Sequence, residues 1–144
     1  MPIYQLNNDL VFPDPSLAGK EGILAVGGDL SKERLILAYA NGIFPWPHKS
    51  APLLWWSPDP RMVLFPDKFR VSHSMKQLIR SGKFSWTVDQ DFETVIGKCA
   101  SIPRRGQDDT WITRDMIEAY IELHKAGYAH SVETRHEGKL VGGL

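Results

Sequence analysis

Six of the ten prolines in this 144-residue chain lie between Pro45 and Pro66. Each fixes its own φ, lacks a backbone N–H and pushes the preceding residue toward extended geometry, so this stretch can hold only short extended segments and turns. Trp46, Trp55 and Trp56 stand in the same stretch. A rigid loop region bearing three indoles is a candidate binding surface. Upstream, Phe12-Pro13-Asp14-Pro15 forbids regular helix for the same reason, and the first segment reads as loops and short strands.

Helical signals sit on either side of the proline-rich region. Gly27-Gly28 supplies a turn, and Ser31 caps a helix through Asn41, with Leu30 and Leu35 spaced as a hydrophobic staple and Gly42 at the stop. A soft boundary falls near Pro60 to Phe65, and patterning changes after about Phe69. Ser72 or Ser74 caps a short helix ending before Gly82, and Phe84 to Val88 has the content of a strand. Asp89 or Asp91 starts a helix toward Ala100 with Phe92, Val95, Ile96 and Cys99 on one face. Thr113 caps the longest helix, where Met116, Ile117, Tyr120, Ile121 and His124 recur at helical spacing before Gly127. Ala129 to Arg135 alternates, Glu137-Gly138 turns, and Lys139 to Leu144 forms a second strand. This order is that of an α+β or mixed α/β protein. A hairpin left with an open hydrophobic second strand is a feature domains avoid, so the chain is expected to be a fragment of a longer protein.

Composition excludes several classes. Hydrophobic residues make up 42% and charged residues 24%, which rules out general disorder. No apolar run is long enough for a membrane-spanning helix. Met1 to Leu10 carries Asn7, Asn8 and Asp9, unlike a secretory signal. Cys99 is the one cysteine, so no internal disulfide and no cysteine zinc site can form, and the cytoplasm is the default compartment. Lys and Arg balance Asp and Glu at 17 each, giving no global attraction to nucleic acid.

The chemistry on offer has bland readings beside the functional ones. Cys99 with His124 or His130 can be written as nucleophile and base, but its place on an apolar helix face favours packing. The five histidines lack metal-ligand spacing, and no metal is expected. Val26-Gly27-Gly28-Asp29 is too short for a phosphate loop. Arg104-Arg105 lies beside Asp108 and Asp109, where local pairing competes with phosphate contact. Trp46 and Trp111 each sit in a loop or at a helix entrance, where an indole either packs or offers a stacking surface for a nucleobase.

Five blocks appear in order: Gly42-Ile43-Phe44-Pro45-Trp46, Trp55-Trp56-Ser57-Pro58-Asp59-Pro60-Arg61, Thr110-Trp111-Ile112-Thr113-Arg114, Ala129-His130-Ser131-Val132-Glu133 and Leu140-Val141-Gly142-Gly143. Together with Gly22 to Leu30 they resemble the leucyl/phenylalanyl-tRNA-protein transferase family over nearly the whole chain. The resemblance implies an enzyme of the bacterial N-degron pathway. Such an enzyme takes Leu or Phe, and less readily Met, from aminoacyl-tRNA and attaches it to the α-amino group of acceptor proteins beginning with Arg or Lys.

The implied fold is α+β, with a small N-terminal α/β domain over residues 1–62 followed by the start of an acetyltransferase-like (GNAT) domain over 63–144. No cofactor is implied, nor any membrane partner, and a monomer is expected. Carried over by motif, Trp46 and Trp111 contact the terminal adenosine, Tyr39 and Tyr120 lie near the same pocket, and Leu144 lines the pocket for the Leu or Phe side chain. Gly142 and Gly143 would let backbone and substrate approach closely. The family's catalytic groups are expected beyond Leu144. Two alternatives stand beside this reading: a tRNA-end binding module that transfers nothing, and a CoA-dependent acetyltransferase, for which the pyrophosphate-binding loop is not found.

Overall fold

The computed structural model describes residues 3–47, 51–103 and 110–144. It is a mixed α+β structure with two sheets and four helices. In chain order, β1 (Tyr4–Leu6) and β2 (Ile23–Gly27) precede α1 (Lys32–Ala40), which is followed by β3 (Phe44–Pro45) and β4 (Leu54–Trp56). These strands form one sheet in the order β1-β2-β4-β3, parallel between β1 and β2 and antiparallel elsewhere. The proline-rich stretch thus contributes two very short strands and otherwise turns, and the Asp59–Pro60 peptide is cis.

Leu24, Ala25, Leu35, Ala38, Ile43 and Trp55 bury completely between this sheet and α1. Trp55 anchors the cluster: its Nε1 donates to the Gly27 carbonyl at 2.9 Å, and Phe12 meets its ring edge-on at 4.8 Å. A buried indole keeps its polar atom satisfied in this way. Ser31 occupies the cap position of α1 as the sequence suggests, yet its side chain makes no cap bond. Asp29 Oδ1 instead accepts the Ser31 N–H at 2.8 Å.

The second half supplies α2 (His73–Arg80), β5 (Ser85–Val88), α3 (Phe92–Ser101), α4 (Arg114–Lys125), β6 (Val132–His136) and β7 (Lys139–Gly143). The antiparallel sheet β5-β6-β7 closes through a turn at Glu137 and Gly138, both with positive φ, a backbone conformation that Gly takes readily. One face of this sheet packs on α3, where a Cβ on Gly143 would meet the Val95 methyls at 2.9 Å. The opposite face carries Trp86, Val88, Val132 and Leu144, which share a side by cross-strand register and are all exposed. α2 buries none of its residues, and Met62 to Phe69 lies open as well. Among the described residues, no helix is long and apolar enough to cross a membrane.

α4 ties the halves together. It packs on both α1 and α3, and Leu123 enters the core of the first sheet. Its sequence stripe pointed to Met116, Ile117, Tyr120, Ile121 and His124; the residues it buries are Met116 and Leu123. A helix wedged between two partners buries two faces, and a single stripe describes only one.

Candidate functional site

The last turn of α1 sets the direction of the segment after it. Gly42, at φ +70°, donates its N–H to the Tyr39 carbonyl at 3.1 Å, and Ile43 donates to Ala38 at 2.9 Å. These paired bonds are the left-handed helix stop that glycine favours. The chain then runs straight into β3, where strand alternation turns Ile43 and Pro45 into the core and Phe44 and Trp46 the other way. The Trp46 N–H, bonded to the Leu54 carbonyl at 2.9 Å, fixes the backbone beneath its indole.

Trp111 is placed by the entrance of α4. Thr113 Oγ1 accepts the Met116 N–H at 3.3 Å as a helix cap, and the Thr113 N–H reaches back to the Trp111 carbonyl at 3.0 Å. The two indoles stack, with centroids 5.1 Å apart and planes at 22°. A second pair lies along the same seam: Tyr39 on α1 meets Tyr120 on α4 edge-on at 6.4 Å, their phenolic oxygens in hydrogen-bond contact. Burial raises the pKa of both phenols, most strongly for Tyr120, so both stay protonated. Beside the tyrosines lies a cavity of about 380 Å³ to which Phe92, Tyr128 and His130 also contribute. A wider cleft of about 620 Å³ runs from Gly28–Leu30 past Pro47 to the Thr113–Asp115 entrance of α4.

Four of the five residues expected to bind substrate thus form two pairs, each joining the first sheet unit to α4. Leu144 belongs to neither pair. It stands 88% exposed on the open face of the second sheet, exchanging backbone hydrogen bonds with Val132. The close approach at Gly143, expected for substrate, is made by Val95 of α3. Cys99 has neither histidine as a partner. His124 stacks on Phe92 at 4.2 Å and its Nδ1 contacts the Ala129 carbonyl, while His130 pairs with Asp89 at 2.7 Å. Arg104 and Arg105 lie outside the described residues.

Two arrangements went unread in the sequence. Glu133 is completely buried and accepts hydrogen bonds from Ser131 Oγ (2.6 Å), Thr87 Oγ1 (2.5 Å) and the N–H groups of Gln90 and Asp91 at the start of α3. Led by the Ser131 and Thr87 hydroxyls, these donors hold its carboxyl below the ordinary carboxylate range. Its place in the Ala129–Glu133 block was the available signal. The second is Arg61, whose guanidinium lies 5.2 Å over the Phe44 ring while Nη2 donates to the Gly42 carbonyl at 2.6 Å. Phe44 in turn meets Trp46 at 6.4 Å.

The sequence model of the family described as leucyl/phenylalanyl-tRNA protein transferase matches residues 63–144, more than half of the chain. The chain belongs to this family. The leucyl/phenylalanyl-tRNA protein transferase N-terminal domain model matches residues 28–59 as well. Curated relatives carrying the transferase name include proteins of Syntrophobacter fumaroxidans and Anaeromyxobacter sp. strain Fw109-5. Each is 54% identical over all of this chain, which covers 62% and 61% of their own lengths. A relative from Solidesulfovibrio magneticus is 55% identical over 99% of this chain and is 58% covered. The chain therefore spans about three fifths of the length of these transferases.

Proposed function

We propose that this chain grips the aminoacylated 3′ end of tRNA as part of a transferase that moves Leu or Phe, and less readily Met, onto acceptor proteins with N-terminal Arg or Lys. The modified proteins would be marked for N-degron proteolysis in the cytoplasm. The observation that carries the reading is the two aromatic pairs, Trp46 at the end of β3 on Trp111 at the entrance of α4 and Tyr39 of α1 against Tyr120 of α4, within or flanking the family's motif blocks.

A transferase that accepts several tRNAs must hold what they share. Stacking suits that task because every base has a π-face and no sequence need be read. An adenine would replace the mutual stack of Trp46 and Trp111 by entering between the rings, or extend it by covering an outer face. Tyr39 and Tyr120, both protonated, offer hydroxyl groups beside it. Leu144 would line the pocket for the transferred side chain.

Transfer is ester aminolysis: the uncharged α-amine attacks the aminoacyl carbonyl, an oxyanion forms, and the terminal ribose hydroxyl leaves as the peptide bond closes. A proton acceptor and an oxyanion donor are required, and we assign both to the part of the relatives' length that lies outside the match. The arrangement proposed is an N-terminal domain over 1–62 and the first part of an acetyltransferase-like domain over 63–144. It is supported by the two successive family matches, over 28–59 and 63–144, and by the separate sheets on either side of residue 62, with α4 as the shared element.

The test follows labelled Leu from leucyl-tRNA to an acceptor protein beginning with Arg, alongside direct tRNA binding. The unmodified chain is compared with a Trp46→Ala, Trp111→Ala double variant. Binding that falls at least about tenfold in the variant is expected. Label on the acceptor would add catalysis to the same polypeptide, and absence of tRNA binding by the unmodified chain would overturn the reading.

A further inference from the structure

We infer that Arg61 is a phosphate-binding residue of this site, receiving a phosphodiester of the RNA strand next to the base stacked at Trp46. The inference rests on the tRNA-end reading above and extends it to a residue outside the two aromatic pairs.

Arg61 is both held and unspent. The arginines Arg34, Arg114 and Arg135 each face a carboxylate, of Asp29, Glu118 and Asp91 respectively. Among the described residues Arg61 faces none; its contacts are the Phe44 ring and the Gly42 carbonyl. Among the described residues Arg70 and Arg80 likewise have no carboxylate partner, and no ring or carbonyl there holds either of them. An exposed arginine ordinarily loses rotamer entropy when it docks on an anion. One already resting over an aromatic ring and tethered at one nitrogen has lost part of that freedom beforehand.

The tether uses one N–H of Nη2, leaving its second N–H, Nε–H and the two Nη1 N–H groups without partners among the described residues. A planar guanidinium with a free edge is the group that receives phosphate oxygens in pairs. Its position fits a nucleic acid strand better than an isolated anion. Phe44 and Trp46 lie on the same side of β3 with centroids 6.4 Å apart, so guanidinium, phenyl and indole follow one another, and the indole continues into Trp111. Cation and stacking surface side by side are what a single strand uses, its phosphates on one and its base on the other. A free phosphate would engage only Arg61.

The experiment titrates a short single-stranded RNA ending in CCA into the full chain by fluorescence anisotropy across about 50–200 mM salt. Arg61→Gln, Arg61→Lys and Trp46→Ala variants are compared, with adenosine as a ligand that has no phosphate. Arg61→Gln should weaken RNA binding and lower the log–log salt slope by about 0.7, the value for one phosphate contact on a single strand. Arg61→Lys should keep the slope and lose part of the affinity. Adenosine binding should survive Arg61→Gln and fail in Trp46→Ala.

An unchanged slope in Arg61→Gln would overturn the inference. So would equal loss of adenosine and RNA binding in that variant, since Arg61 would then serve only to hold Phe44 and Gly42. Inorganic phosphate competing with the wild type as well as RNA does, at equal phosphate concentration, would also overturn it, assigning Arg61 to free anions. Failure of the unmodified chain to bind either RNA or adenosine would sink the tRNA-end reading itself, a result distinct from all of these.

Discussion

The indole of Trp111 lies face to face with that of Trp46, centroids 5.1 Å and planes 22° apart, so each residue expected to hold a nucleobase holds the other. The stack joins the end of β3 to the entrance of α4 and is worth about 0.5–1.5 kcal/mol to the fold. An adenine that stacks in its place gains about 1–3 kcal/mol. Trp111→Ala should therefore weaken binding of a CCA-ending RNA by about 5- to 150-fold while shifting the thermal midpoint little. Tryptophan fluorescence should change on RNA addition in the wild type. Full-strength binding by the variant would remove Trp111 from the site.

Glu133→Gln tests the buried carboxylate. The hydroxyls of Ser131 and Thr87 and the two N–H groups at the start of α3 keep its folded-state pKa low. A carboxyl depressed in the folded state contributes stability above its unfolded pKa, about 4.3, and loses it as pH falls through the folded value. The variant should melt below the wild type at pH 7, with the gap narrowing under acid conditions. A gap independent of pH, followed by circular dichroism, would mean that shape and not charge matters there.

Gly22→Ala should be among the more damaging single-methyl additions. Gly22 has φ +91°, and a Cβ there would stand 2.8 Å from Pro58 Cβ and 2.9 Å from Pro58 Cα. Strained backbone and overpacking each cost about 1–3 kcal/mol, about 2–6 kcal/mol together. Chemical denaturation should report a loss of that size, whereas Gly138→Ala, which meets nothing within 4 Å but also has positive φ, should cost less.

Trp55→Ala removes the largest side chain of the first core and leaves the Gly27 carbonyl without its indole donor. Loss of about 3–5 kcal/mol is expected. Against a typical domain stability of about 5–15 kcal/mol, that should abolish a cooperative thermal transition or lower it sharply. Retention of the wild-type midpoint would show that the sheet and α1 do not depend on this indole.

Trp86→Lys addresses the open face of the second sheet, where Trp86 is 72% exposed in line with Val88, Val132 and Leu144. Contiguous apolar surface of this kind promotes association. The substitution should raise the concentration at which light scattering appears, with little change in melting. Earlier scattering would assign the effect elsewhere.

Local signals read well where one short-range rule decides the outcome. The Gly42 stop of α1, the Thr113 cap of α4 and the Glu137-Gly138 turn were all legible, because each depends on one residue type in one backbone conformation. Leu123 was missed because α4 packs against two helices, and the parallel pairing of β1 with β2 depends on a long connection that no local pattern records. Phe44 and Arg61 were hidden differently. An arginine after a proline reads as solvated charge until the fold lays it over a ring seventeen residues back. The aromatic residues of the site were named by family resemblance, since a loop tryptophan by itself reads as packing or as surface with equal ease.

Gly42 carries one more consequence. Its left-handed φ ends α1, and its carbonyl is where Arg61 is tied. Energetic coupling between two such events is reciprocal. Whatever steadies the helix end steadies the guanidinium, and an anion bound at Arg61 must slow fraying of that last turn by the same free energy. Hydrogen exchange at the amides of Gly42 and Ile43 then becomes a gauge of occupancy, read from the backbone of a helix terminus without reference to any reaction.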